Sequence, residues 1–232
     1  LGRCGRLTLV GNPARPDSTY RRLRAHLEAS IKEELIGDAE REAFLRSDEK
    51  IAQHLQEENY SAIAEALVAG DGTLPIECTL DARQSLIDAD IVICATSSTD
   101  FLVDVRELKH GAIILDLSQP SNVDRSTLAA RPDVLFIDGG VVAFPNAANM
   151  NFNFGFPRGH GFACMAETVM LGLERRLQHC SIGARTNRAT RQMIANLARK
   201  HGFKLSGLRR FNRKMNDADW QSYITARSGD IR

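Results

Sequence analysis

Four short runs set the strongest limit on the fold: PIECT (75–79), DIVICAT (90–96), AIILDLS (112–118) and DVLFIDGG (133–140). Each is largely apolar, each is four to eight residues long, and DIVICAT is rich in β-branched side chains. A strand on a half-exposed sheet alternates apolar with polar residues. Runs without that alternation belong to a parallel sheet covered on both faces. Between them lie segments with helix or turn signals: DARQSLIDA (81–89), with Asp81 as N-cap, DVRELKHG (104–111), ending at a glycine, and DRSTLAARP (124–132). GRLTLVGN (5–12) reads as a further buried strand closed by a Gly-Asn turn. The expectation is a doubly wound, Rossmann-like α/β sheet.

Residues 17–70 break that rhythm. Leu23, Leu27, Ile31 and Leu35 recur at helical spacing, and two or three helices are expected, broken near IGDA and EENYS. This block reads as a helical insertion in a domain spanning 1–203, which closes with helices at 161–178 and 186–200. Residues 204–232 read as a basic C-terminal tail. The 232 residues carry a net charge of +1, which gives no field for nucleic acid. No apolar run reaches the length of a membrane span. Five cysteines, an odd number without a CxxC pair, argue against a disulfide framework or a metal cluster, and a cytoplasmic setting is expected. Cys4, Cys78, Cys94 and Cys180 read as structural.

Ligands of open α/β sheets sit beyond the carboxyl ends of the strands. Thr96, Ser97 and Ser98 follow the DIVICAT strand, small enough to admit a ribose or nicotinamide, or else capping a turn. Gly139 and Gly140 end the DVLFIDGG strand, where they allow close backbone approach or form a bulge. The GxGxxG dinucleotide loop is absent. If RLTLVGN is the second strand of the fold, that loop would precede Leu1. Asn12 and Arg15 would then meet the adenosine ribose, and the basic, non-acidic strand end favours NADP(H) over NAD.

RGHGFACMAETVMLGLE (158–174) places Cys164 just inside a helix start. A thiol there sits in the positive field of the helix dipole, a setting of reactive cysteines, although a small buried packing residue is the plain alternative. Glu167, three residues on, and His160, four before, are candidate acid–base partners.

From Thr79 to about Phe203 the motif order resembles the cyanobacterial-type long-chain fatty acyl-[acyl-carrier-protein] reductase family. The resemblance rests on ADIVICATS, LKHGAIILDLSQPSNVD, VLFIDGGVV, GFACMAETVMLGLE and KHGFK. It implies that Cys164 attacks a fatty acyl thioester and that hydride from NADPH releases an aldehyde. The implied partner is acyl-carrier protein or acyl-CoA. The helical block is longer than the family's connection, Ala143 and Phe144 replace its Glu-His pair, and His160 has no counterpart. Phe144, Phe152, Phe154, Phe156 and Phe162 would line an acyl tunnel or pack a core. Two alternatives stand beside this reading: an NADP-dependent dehydrogenase of a small metabolite, similar to shikimate dehydrogenases or glutamyl-tRNA reductases, and a non-catalytic Rossmann-like binding module.

Overall fold

The computed structural model describes residues 5–151, 153, 155–181 and 186–229. Cys4, Phe152 and Phe154 lie outside them. The chain is an α/β fold with parallel and antiparallel sheets flanked by helices, and it divides into two compact units. One comprises Leu1–Ser85 with His179–Arg191, the other Leu86–Gln178 with Gln192–Arg232.

The first unit begins with β1 (Leu7–Val10) and α1 (Pro16–Ser30), which runs into a π-helical turn at Ile31–Leu35. Then come α2 (Ala39–Arg46), α3 (Glu49–Gln56), α4 (Tyr60–Ala69) and β2 (Ile76–Thr79), which pairs in parallel with β1. The expected helix breaks fall at capping residues. The side chains of Asp38, Asp48 and Asn59 accept from Arg41, Ile51 and Ala62 N–H, each satisfying an orphan donor of a first turn. Ile31, Leu45, Ile51, Leu55, Ile63 and Leu67 form the core between these helices, with Leu27 and Leu35 packed against it. The spacing read from the sequence is thus the inward stripe.

In chain order there follow α5 (Ala82–Ile87), β3 (Ile91–Cys94), β4 (Ile113–Asp116) and β5 (Leu135–Asp138). The three strands form one parallel sheet in the order β3–β4–β5. One face packs Val92, Cys94, Ile114 and Phe136 against Val103, Val105, Leu108, Val123 and Leu128. The doubly wound expectation is corrected here to its coarser form. Among the described residues the parallel strands form a pair and a triplet rather than one continuous sheet.

The connections are also tighter than expected. DVRELKHG is a single 3-10 turn at Val105–Glu107, not a helix. The turn ends where Leu108 becomes extended, and the Arg131 guanidinium donates to the carbonyls of Val105 and Leu108 at 2.8 and 3.1 Å, pinning the segment in that form. After β5 the chain turns directly into β6 (Val141–Ala143), which pairs antiparallel with β7 (His160–Phe162) and β8 (Lys204–Leu205). Two helices, α6 (Ala163–Leu173) and α7 (Arg188–His201), are both shorter than their expected ranges. The last segment is ordered into β9 (Arg209–Arg210), β10 (Arg213–Lys214) and α8 (Asp217–Ser228). β9 and β10 form a hairpin. A capping box at Asn216 and Asp219 starts α8, and the Tyr223 hydroxyl donates to the Gly111 carbonyl at 3.1 Å.

Candidate functional site

The carboxyl ends of β3, β4 and β5 converge on one set of loops in the second unit. Their centre is Asn122, a residue that the sequence reading passed over. It is fully buried. Its Nδ2 donates to the carbonyls of Ser98 and Asp100, both at 3.0 Å, and its Oδ1 accepts from the Thr96 hydroxyl at 2.8 Å. Its backbone N–H donates to Asp116 at 3.1 Å. The Asp116 carboxylate also accepts from Ser118 N–H at 2.9 Å and from the Ser121 hydroxyl at 2.6 Å. The Gln119–Pro120 peptide within this loop is cis.

This network shows what the strand-end hydroxyls do. Thr96 spends its hydroxyl on Asn122, and its N–H on Ser118 Oγ at 3.1 Å. The Ser98 hydroxyl lies 3.3 Å from the Asp100 carboxylate. Ser97 is exposed. Thr96 and Ser98 therefore tie the β3 loop to the β4 loop. Cys94 ends β3 beneath the knot, where burial, with the charge of Asp116, pushes its thiol up to about 12. It is a packing residue, as expected.

At the end of β5 the Asp138 carboxylate accepts from Arg125 Nη2 and from Asn212 N–H, both at 2.8 Å. The Arg125 guanidinium lies over the rings of Phe136 and Phe211 at 5.4 and 5.9 Å. Arg209, buried beside Phe156, donates to Ser206 Oγ and to the Asn212 carbonyl, and burial lowers its affinity for the proton. The two glycines after Asp138 have different physical roles. A Cβ on Gly139 would meet Leu117 at 2.3 Å, so its smallness serves packing. Gly140 has φ +69° with open space around it, and its carbonyl accepts from Ala163 N–H at 2.8 Å.

That last bond sets the start of α6 against the end of β5, and with it Cys164, which is exposed. Phe162 stands at the N-cap without a side-chain hydrogen bond, and the first turn holds no acidic residue. Glu167 is half-buried one turn further along the helix. His160 lies in β7, its Nδ1 3.2 Å from the Arg158 carbonyl. Phe156 and Phe162 meet edge to face at 5.1 Å, and Phe144 meets Phe203 at 5.2 Å.

Asn12 and Arg15 belong to the other unit. Asn12 Oδ1 accepts from Ala14 N–H, and its backbone exchanges hydrogen bonds with Thr19, shaping the turn into α1. Arg15 is the exposed N-cap residue of that helix. Among the described residues no group of His, Cys, Asp and Glu is arranged to hold a metal ion. None of their helices is long and apolar enough to cross a membrane.

A search against protein families finds no match. The chain is similar to Aminotransferase PigE of Serratia sp. (strain ATCC 39006), 30% identical over 125 residues. That stretch is 53% of this chain and 14% of the relative. The relative is named for amino-group transfer, and this corrects the reductase resemblance. The reading of an NADPH-dependent oxidoreductase acting on a fatty acyl thioester falls. With it fall the NADP(H) cofactor, the acyl-carrier protein or acyl-CoA partner, and the covalent thioester role of Cys164. Of the motifs behind that reading, ADIVICATS and VLFIDGGVV lie at strand ends of a kind that many α/β enzymes share, while GFACMAETVMLGLE forms α6 and its lead-in.

Proposed function

We propose that this chain is a substrate-binding domain that serves amino-group transfer, holding the carboxylate of an amino acid or oxo acid at the start of α6. One observation carries the reading. The first turn of α6 has no side-chain cap and no acidic residue, and it stands at the carboxyl end of β5 beside an exposed Cys164. Uncapped first-turn N–H groups together with the helix dipole form an anion site. The parallel β3–β4–β5 order fits one half of a doubly wound sheet, whose ligands gather at this end. The kinship to an aminotransferase supplies the substrate class.

In this reading Cys164, Glu167 and His160 contact the substrate. Gly140 keeps the entrance open and fixes the helix start, while Gly139 keeps β5 packed. Thr96, Ser97 and Ser98, with Asn122 behind them, form the rigid rim. Asn12 and Arg15 serve the turn into α1.

Pyridoxal phosphate, the usual cofactor of amino-group transfer, is carried as a Schiff base on a lysine. The six lysines here, Lys32, Lys50, Lys109, Lys200, Lys204 and Lys214, are all exposed. None stands at the carboxyl ends of β3, β4 or β5; Lys109, in the β3–β4 connection, pairs with Asp90 at the start of β3. This chain's residues therefore do not fit that cofactor, and the domain's part is to bind and orient.

The test is a titration with amino acids, 2-oxo acids and their methyl esters, followed through the backbone amides of Cys164 and Met165. The acids are expected to shift both amides and the esters to shift neither. Phe162→Asp, which supplies a cap and a negative charge, should weaken acid binding at least about tenfold. A lysine-borne cofactor adduct that turns over amino donors in this chain alone would defeat the proposal.

A further inference from the structure

The helix α8 is docked on its own unit by few contacts. Of its twelve residues only Tyr223 is buried. The Tyr223 hydroxyl donates to the Gly111 carbonyl at 3.1 Å and accepts from Arg227 Nη1 at 3.3 Å. Trp220, whose ring lies 5.8 Å from that of Tyr223, is 43% exposed. An open groove of about 550 Å³ follows the flank of the helix, lined by Pro132, Ala218, Ser222, Thr225 and Ala226. A helix with so little buried surface depends on its polar ties.

One of those ties is His110, in the turn before β4. Its Nε2 lies 2.9 Å from the carbonyl of Arg227, in the last turn of α8. Its Nδ1 lies 3.2 Å from Oδ2 of Asp133, just before β5. Both neighbours are acceptors only. A carbonyl has no proton to give, and Asp133, held down to about 2, is a carboxylate at ordinary pH. A neutral imidazole carries one N–H and one lone pair. With the proton on Nε2, the lone pair of Nδ1 faces the carboxylate. With the proton on Nδ1, the lone pair of Nε2 faces the carbonyl. Only the doubly protonated ring suits both. The last carbonyls of a helix lack intrahelical donors and form the negative end of its dipole, which also favours a cation there. The other charged groups around the ring are few. Arg131 binds both oxygens of Asp133, at 2.8 and 2.7 Å, and Lys109 pairs with Asp90 at 2.5 Å. Arg227 contributes its guanidinium from α8, and Asp230 follows that helix in the sequence.

We propose that His110 is a pH-sensitive latch for α8. With both ring nitrogens protonated it bridges the Arg227 carbonyl and Asp133, and it holds the last turn of the helix against the loops before β4 and β5. Loss of one proton sets a lone pair against one of the two oxygens, and the end of α8 lifts from Gly111. The tie is complete while the ring carries its charge and is lost as the pH rises through its titration. The latch lies at the amino ends of β4 and β5, away from the anion site at α6, and does not rest on it.

Trp220, the single tryptophan of the chain, reports on α8 directly. Between about pH 5.5 and 8, where histidines lose their charge, acrylamide quenching of Trp220 should rise at least about twofold. Over the same range the protection of the Tyr223 to Ser228 amides against hydrogen exchange should fall at least about tenfold, while Ile114 and Phe136 in the sheet keep theirs. The His110 ring resonances, followed in the same samples, should share the midpoint of these changes. His110→Gln, whose amide can donate to the Arg227 carbonyl at every pH, should abolish them. Quenching and protection that stay flat in the unaltered protein would overturn the proposal. So would a His110 midpoint separate from that of α8, or an unchanged transition in His110→Gln, either of which would assign the transition to another group.

Discussion

The loop after β4 and the first turn of α6 lie at the same end of one sheet, yet they treat their polar groups in opposite ways. After β4, the carboxylate of Asp116 and the amide of Asn122 are engaged by protein partners. At α6, the N-cap offers no side-chain acceptor and the thiol beside it is exposed. A buried polar group left unpaired costs more than a hydrogen bond gains, so the interior site must be saturated to exist. A helix start at the surface can remain open because water fills it until a ligand does. Stability and binding are thereby separated between the two loops.

The largest effect should come from Asn122→Ala. It removes the buried amide that holds the carbonyls of Ser98 and Asp100 and the hydroxyl of Thr96, three groups at a part-buried loop junction, and leaves a cavity where Asn122 was. A loss of about 3 kcal/mol is expected, read as a lower urea midpoint. A change within about 0.5 kcal/mol would mean that the knot is not the structural member of the pair. Gly159→Ala comes next. Gly159 has φ +77°, and a Cβ there would lie 2.5 Å from Ala147 Cα, a backbone atom that cannot swing aside. About 2 kcal/mol should be lost. Because Gly159 leads through β7 into α6, acid binding should weaken as well, whereas Asn122→Ala should mainly lower stability.

A second saturated carboxylate, at the opposite end of the sheet, gives the comparison a pH axis. Asp133 is held down to about 2, first by the hydrogen bonds from Arg131, then by the Gly111 N–H. Its folded-state value lies below the ordinary 3.8, so its contribution is complete above about pH 4 and fades as the pH falls toward 2. Urea midpoints across that window should fall less steeply for Asp133→Asn. An unchanged slope would show that the Arg131 pairing does not survive in solution.

The strands were legible because buried parallel strands must be apolar over their whole length, as IILD and LFID nearly are; IVIC is apolar throughout although Ile91 and Ile93 are exposed. The helix breaks were legible because Asp38 and Asn59 are caps by local chemistry. Asn122 was not legible. Its side-chain partners lie 22 to 26 residues away, and a lone asparagine in a Pro-Ser loop has the signature of a turn. The same long-range bonding gives Thr96 and Ser98 protein partners that local sequence does not reveal. The 104–111 segment was misread for the same reason. Arg131, more than twenty residues on, holds the carbonyls of Val105 and Leu108 where the chain turns extended. Cys164 at a helix start was readable from its flanking glycines, but the chemistry attached to it came from resemblance and did not survive the comparison with a relative.

The smallest effect on stability, and the most direct test of the contrast, is at that thiol. Cys164→Ala should change the urea midpoint by less than about 0.5 kcal/mol, because the side chain is exposed. In the folded protein iodoacetamide should modify Cys164 at least about a hundredfold faster than Cys94, which is both buried and pushed up to about 12. Peptide mapping of a short labelling pulse reads the ratio. The adduct then becomes a charge probe. Iodoacetate leaves a carboxylate on the first turn of α6, and iodoacetamide leaves a neutral amide of nearly equal size. If that turn binds a carboxylate, the charged adduct should weaken acid binding several-fold more than the neutral one, through repulsion and competition for the same N–H groups. Equal weakening would reduce the site to steric contact. No weakening from either would place acid binding away from Cys164, leaving the open turn of α6 as surface.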